Sequence, residues 1–345
     1  MTHPFDSPHL LEQQFTEGLD AMLARHPGLG VYILVLANAA YDPALWAHLS
    51  PALAARHAQL ADTLTRALRC GTALAEPEDD VMVFLKLHTI GFDQMGRRES
   101  RQDGPWLANY NPLRALRPPR SSRETFGGLL RPFDPAGFHF NRVFLAKEIL
   151  WQGELCAEPV RLLYNKFPFA RLHSLLVPQP AQELPQHLTA AWHAWAWAVC
   201  SRLGHAGQSL AYNSLGAGAS VNHLHFQSFV QPPALPVLDA GFAHNGGQHA
   251  YPLPVTRFTD PDAAWAHIAG LHARAQPYNL IYTHGTVTCI ARVPQDSAHL
   301  TEACRPYGWS EMAGAVTLFN RDDYANWRGA QLAEQLAGFA PPTDR

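Results

Sequence analysis

Asn213-Ser-Leu-Gly-Ala-Gly-Ala-Ser-Val-Asn-His-Leu-His-Phe-Gln227, running on into Ser228-Phe229-Val230, decides how the rest of the chain is read. Its β-branched and aromatic residues from Ser220 onward predict a strand, and strand side chains alternate between faces. Val221, His223, His225, Gln227 and Phe229 would then share one face, with Leu224, Phe226 and Val230 on the other. Gly216 and Gly218, just upstream, can turn backbone N–H groups toward an anion. Two imidazoles and a carboxamide behind a glycine-turned loop suit attack on a phosphorus atom. The same two histidines also fit a zinc pair or half-buried polar residues of a sheet, and a zinc site would need a third ligand that no other spacing in the chain supplies.

Composition narrows the class of ligand. The 345 residues carry a net charge of −3 with 16% charged residues, so no basic field marks a nucleic-acid or membrane-surface binder. Five scattered cysteines (Cys70, Cys156, Cys200, Cys289, Cys304) include no Cys-x-x-Cys pair, which argues against a disulfide framework and a thiolate zinc site. With no apolar run of membrane-spanning length and no signal-like N-terminus, a soluble cytoplasmic protein is expected.

Working outward, Val160 to Tyr164 predicts a strand running into Asn165-Lys166-Phe167-Pro168, and Ser174 to Val177 predicts its return. Pro168 forces the turn, so Asn165 and Lys166 stand at a strand end where ligand groups commonly sit. His173 reads as a packed strand histidine. Pro185 to Leu203 predicts a helix whose Trp192 and Trp195 belong to the core. A hairpin is expected at Tyr278 to Val293, turning at His284-Gly285. Upstream, residues 8 to 26 and Pro43 to Arg69 read as helices, while Val31 to Leu36 and Asp80 to Leu87 read as strands, making an N-terminal α/β segment. Between Gly91 and Pro135 lies an irregular connection carrying Arg97-Arg98, Arg114, Arg117, Arg120 and Arg123; it reads equally as a linker and as a cationic border of the site.

His223-Leu224-His225-Phe226-Gln227 resembles the His-x-His-x-Gln signature of nucleotidyl transferases in the histidine-triad (HIT) superfamily. With Leu210 to Gly216, Tyr110-Asn111-Pro112, Pro132-Phe133-Asp134, Tyr278-Asn279 and Trp309-Ser310-Glu311-Met312 it is most similar to the GDP-hexose phosphorylases (GDP-L-galactose and GDP-D-glucose phosphorylases), over roughly residues 104 to 328. The resemblance implies an α+β fold: a HIT-like antiparallel sheet with flanking helices, similar to galactose-1-phosphate uridylyltransferase, over residues 104–345. Residues 1–103 would form the α/β segment, with a degenerate HIT-like half as one option. It implies that His225 is the nucleophile, that His223 orients it through its backbone carbonyl, and that Gln227 donates to a phosphoryl oxygen. Asn165, Lys166, Asn213, Gly216, Gly218, Ser220 and Asn222 would bind substrate. No cofactor or metal is expected. The partners would be a nucleoside diphosphate sugar or a dinucleoside polyphosphate together with inorganic phosphate, with a homodimer left open. Lys166 departs from the GDP-hexose pattern and is more similar to diadenosine tetraphosphate phosphorylases, so that activity stays as an alternative, as does a non-catalytic nucleotide-binding protein.

Overall fold

The structure is a computed structural model that describes residues 4–96, 98–116, 125–203, 208–230 and 235–342. Arg97, Arg117 to Arg120 and Arg123 of the cationic connection lie outside the described residues, as does the segment 231–234 after the catalytic-type motif.

Four helices come first: α1 (Pro8–Arg25), α2 (Leu29–Tyr41), α3 (Pro43–Cys70) and α4 (Glu78–Ile90). Ser7 caps α1 by accepting from Leu10 N, and Asp42 caps α3 by accepting from Ala44 N and Leu45 N; a proline follows each cap. Both strands expected in this region are helices. Every residue of α2 is buried, so its Val31, Ile33 and Val35 lie inside a helix that is apolar all round and wrapped by its neighbours, and tertiary burial overrides their β-propensity. The second begins with Pro77 and then Glu78, Asp79 and Asp80, a helix start whose acidic first turn suits the dipole. The N-terminal segment is therefore helical rather than α/β, and the described residues before Glu99 contribute no strand to any sheet.

The expected boundary at residue 103 falls within a hairpin. Strand β1 (Glu99–Asp103) pairs antiparallel with β2 (Trp106–Tyr110), so part of the supposed irregular connection is ordered sheet. The next elements are β3 (Ile149–Leu155), β4 (Glu158–Tyr164), β5 (Arg171–Pro178), α5 (Ala190–Leu203), β6 (Gln208–Asn213) and β7 (Phe226–Val230). After them come β8 (Val255–Phe258), α6 (Pro261–Ala273), β9 (Tyr278–Thr283) and β10 (Thr286–Ala291), with Gly285 at φ +64° in the β9–β10 turn. The chain closes with α7 (Trp309–Met312), β11 (Ala315–Leu318), α8 (Arg321–Asn326) and α9 (Gly329–Ala337).

The fold is α+β. Its main sheet has eight strands in the order β3-β4-β5-β7-β6-β9-β10-β8, antiparallel at every pairing. A three-stranded sheet, β1-β2-β11, joins β11 parallel to β2. On β7 the alternation separates two cores. Phe226 and Val230 pack with the N-terminal helices and α5, whereas Phe229 packs with Trp309 and the C-terminal elements. No helix among the described residues is long and apolar enough to cross a membrane.

Candidate active site

The strand expected from Ser220 begins only at Phe226; residues 214 to 225 leave β6 as turns and irregular backbone. Gln186 explains how this loop is held without a ladder. Its side chain accepts from His225 N (2.9 Å) and donates to His225 O (3.2 Å) and Asn213 O (2.9 Å), doing with one carboxamide what a neighbouring strand would do. The helix expected to begin at Pro185 starts at Ala190, which leaves Gln186 at a bend in a non-helical lead-in, where it makes these bonds.

His225 lines a cavity of about 770 Å³, within the range of small-molecule sites. Its Nδ1 lies 2.8 Å from His223 O. A carbonyl only accepts, so Nδ1 carries the proton and Nε2 keeps its lone pair. Burial pulls its pKa down to about 4, against the raising effect of that hydrogen bond, so the ring is neutral near pH 7.

His223 does not line the cavity. It is fully buried, stacked on Phe140 and edge-on to Phe133, and its Nδ1 accepts from Phe140 N (3.1 Å), which leaves Nε2 protonated and without a partner among the described residues. Burial pulls its pKa down to about 3. Both rings pack against Phe140, but only His225 lines the cavity, and no group of three or more His, Cys, Asp or Glu able to hold a metal occurs among the described residues.

Asn165, Lys166, Asn213, Gly218, Ser220, Asn222 and Gln227 also line the cavity, and Gly216 does not. Several of these are engaged in hydrogen bonds within the protein. Gly218 N donates to Gln295 Oε1 (2.7 Å), while Gly216 O accepts from Gln295 N (2.9 Å), so one glutamine clamps both glycines. The glycines are required sterically: both have positive φ (+77° and +90°), and a Cβ on Gly218 would lie 2.8 Å from Gly308 Cα. Asn222 donates to Arg131 O and Pro132 O and accepts from Gln186 N, tying the cationic connection to the motif. Asn213 Oδ1 accepts from Asn279 Nδ2 (2.7 Å) and Trp309 N (3.1 Å). Lys166 Nζ is paired with Asp80 Oδ1 at 2.5 Å, so an N-terminal helix reaches the cavity wall.

The cavity lining mixes apolar and polar side chains. Beside His225, Phe140 (ring centroids 4.9 Å apart) leads to Phe138 and Phe144 and to the apolar cluster of Leu145, Leu163 and Leu175. Asn165, Lys166, Arg114 and Glu311 add polar groups to the lining, with Phe167 and Phe169 beside them. Arg114 donates to Phe167 O and lies over the Phe169 ring at 4.2 Å. Burial raises the pKa of Glu311, with Arg114 and the Gly308 N–H holding it down. The connection between Gly91 and Pro135 therefore borders the site, through Arg114, Arg131 and Pro132.

Sequence reasoning missed Gln186, Trp309 and the weight carried by His173. Trp309 Nε1 donates to Gln227 Oε1 at 2.8 Å, and His173 Nε2 lies 2.9 Å from the same oxygen. These partners are 82 and 54 residues from Gln227, so no local spacing could have signalled them.

Residues 104–229 match the family described as "GDPGP1-like, N-terminal domain". The matched residues run from just before β2 into β7 of the eight-stranded sheet, and the match covers a GDPGP1-like domain rather than the whole chain. It is homologous to GDP-hexose phosphorylases. GDP-D-glucose phosphorylase 1 of Homo sapiens is 38% identical over 146 residues, covering 39% of this chain and 36% of that protein. The Macaca fascicularis protein of the same name is 31% identical over 210 residues, 57% of this chain and 49% of that one. GDP-L-galactose phosphorylase 2 of Arabidopsis thaliana is 28% identical over 128 residues, 32% of this chain and 30% of that one. The chain spans less than half the length of these relatives. Among solved structures, yeast Ap4A phosphorylase Apa2 in complex with Ap4A superposes with a TM-score of 0.50 at 16% identity, covering 78% of this chain and 100% of that one, which speaks to the fold.

Proposed function

We propose that the chain is a nucleotidyl-transferring phosphorylase that cleaves a GDP-hexose with inorganic phosphate to GDP and hexose 1-phosphate. The observation that carries this reading is the tautomer of His225, whose Nδ1 proton is held by His223 O and whose Nε2 lone pair is therefore available in the cavity. Homology to GDP-hexose phosphorylases supports guanine and a hexose as the two ends of the donor.

In the first half-reaction the Nε2 lone pair attacks the α-phosphorus. An N–P bond forms as the P–O bond to hexose 1-phosphate breaks, and the leaving group departs with the electron pair as a phosphate anion needing no proton. The Nδ1–H bond to the carbonyl persists and spreads the positive charge of the nucleotidylated ring. In the second half-reaction an oxygen of inorganic phosphate attacks the same phosphorus, the N–P bond breaks and GDP leaves. Gln227 can donate to an equatorial oxygen but cannot relay a proton, which suits an acceptor that is already anionic over water. The apolar residues around Phe140 suit the nucleoside, and Arg114 and Lys166 suit the phosphate and sugar.

Lys166 also favours a second donor, diadenosine tetraphosphate, whose longer phosphate chain could use its ammonium; the existing pair with Asp80 supports the shorter donor instead. Intact-mass spectrometry after brief mixing with GDP-glucose, GDP-mannose or diadenosine tetraphosphate, without phosphate, separates these. A guanylyl increment that phosphate discharges and that His225→Ala lacks is the expected result. An adenylyl increment would establish the second donor. No increment with any donor would leave a nucleotide-binding protein without turnover.

A further inference from the structure

We propose that Trp309 and His173 lock the Gln227 carboxamide with its oxygen turned into the protein and its Nε2 amino group turned to the cavity, so that Gln227 meets a phosphoryl group only as a donor. The inference rests on the nucleotidyl-transfer reading, and it makes Trp309 and His173 positioning residues, acting through Gln227.

The orientation follows from donor chemistry rather than from atom labels, which an amide flip can exchange. An indole N–H can only donate, and Trp309 Nε1 is 2.8 Å from the Gln227 oxygen. His173 Nδ1 faces the Phe169 N–H at 3.3 Å, also a donor, so Nδ1 must accept and the proton sits on Nε2. That Nε2 is 2.9 Å from the same Gln227 oxygen. Both lone pairs of Oε1 are thereby used. A flipped amide would set two N–H donors against its own amino group and lose both bonds, so Nε2 is left to the cavity that Gln227 lines. With Nε2 of His173 protonated, the Asn165 amide nitrogen 3.3 Å away makes no bond to it; Asn165 Oδ1 is held by Phe167 N (3.0 Å), which leaves that amide a donor as well.

Both positioning groups are themselves fixed. The Trp309 indole stacks on Phe229 at 4.2 Å, tilts against Phe169 at 5.3 Å, and is tethered by its backbone N–H to Asn213 Oδ1. His173 is fully buried and sits where the pairing of β5 with β7 shifts register between Arg171 and Ser174; Leu172 there is held at φ +51°, in the left-handed region. A bulge re-aims a side chain out of the regular alternation, and backbone strain at a buried leucine is tolerated where its consequence is useful. Burial pulls the His173 pKa down to about 3, which keeps Nδ1 unprotonated throughout the neutral range.

The test has two arms. In the first, the tryptophans of the full chain are labelled with ¹⁵N and the Trp309 indole resonance is assigned by its loss in Trp309→Phe, which keeps an aromatic ring against Phe229. Gln227→Leu is expected to move that resonance upfield and speed its solvent exchange; an unmoved resonance overturns the proposal. In the second, the single-turnover rate of nucleotidyl transfer from GDP-glucose to His225 is measured in a double-mutant cycle. Gln227→Leu is expected to slow it about a hundredfold, Trp309→Phe about tenfold, and the double variant no further than Gln227→Leu alone. Additive losses mean that Trp309 acts through packing, and overturn the proposal. If no donor labels His225 in the wild type, the transfer reading fails and the indole resonance still decides the orientation.

Discussion

Acidifying the protein from about pH 7 to about pH 5 should remove roughly 6 kcal/mol of stability through His173, His223 and His225 alone. Burial holds their pKa values down to about 3, 3 and 4. Each is below the value near 6.5 of an unfolded histidine, so the folded state binds fewer protons. The stability this brings is whole above about pH 6.5 and is lost as the pH falls toward the folded values. The size does not depend on how far below 5 the folded values lie. At about pH 5 the unfolded ring is nearly fully protonated and the folded ring nearly bare, and linkage then costs RT ln(1 + 10^1.5), about 2 kcal/mol per histidine. Three such losses compare with a typical total stability of about 5–15 kcal/mol.

Urea unfolding followed by tryptophan fluorescence across this range measures the slope, and His225→Gln isolates one contribution. Glutamine has no titrating group, so the variant should show about 2 kcal/mol less pH-dependent loss between the two pH values, whatever its stability at neutral pH. An identical pH dependence in wild type and variant would refute the reasoning, because it would mean that His225 titrates alike in both states and is not held neutral by its surroundings.

Four further outcomes are expected. The rate of nucleotidyl transfer to His225, read by rapid quench after a brief pH jump, should stay flat down to about pH 5.5, whereas a histidine of ordinary pKa would lose about tenfold there. Gly218→Ala should destabilise by about 1–3 kcal/mol in thermal melts, since a Cβ would lie 2.8 Å from the Gly308 backbone at a φ of +90°. Asp80→Asn should free the Lys166 ammonium now 2.5 Å from it, and raise transfer from diadenosine tetraphosphate relative to GDP-glucose by about threefold to tenfold at low salt. Arg171→Leu should cost about 2 kcal/mol in urea midpoints, because it leaves the buried Asp42 carboxylate, 2.6 Å from the guanidinium, without its cation.

What could be read before folding was chemistry that lies close together in the chain. His223, His225 and Gln227 stand two residues apart, and their spacing carried the likeness to nucleotidyl transferases. Their geometry was another matter. A run of β-branched and aromatic residues argued for a strand through both histidines, but the backbone there is irregular and is held by Gln186, a residue 39 positions earlier. Val31 to Leu36 misled for a related reason: β-propensity describes a residue that fits a half-buried pleat, and a helix buried on all sides imposes no such condition. The donors around Gln227 were invisible because Trp309 and His173 lie 82 and 54 residues from it, and a tryptophan's N–H acceptor cannot be read from its own neighbours in the chain.

The helical segment, which showed no motif, acquires its meaning from where its polar atoms go. Tyr164 OH donates to Phe15 O in α1, Asn38 in α2 donates to Asn165 O, and Tyr41 OH donates to Phe169 O. Asp42 and Glu12 pair with Arg171, and Asp80 in α4 with Lys166. These contacts all fall on residues 164 to 171, the turn between β4 and β5 that carries Asn165 and Lys166 into the cavity and leads into the bulge at His173. A loop rich in unpaired backbone groups cannot hold an ångström-level arrangement by itself, since each of its carbonyls is otherwise free to bond water. Here the carbonyls of Asn165 and Phe169 are bonded by Asn38 and Tyr41, that of Phe167 by Arg114, and that of Pro168 by Asn111. Of the five positions from Asn165 to Phe169, all but Lys166 thus have their carbonyls bonded by the helices or by the segment after β2. Gln227 bonds to His173, His173 sits at the bulge, and the bulge follows this turn, so on the proposed reading the helices bear on the orientation of Gln227 in the cavity.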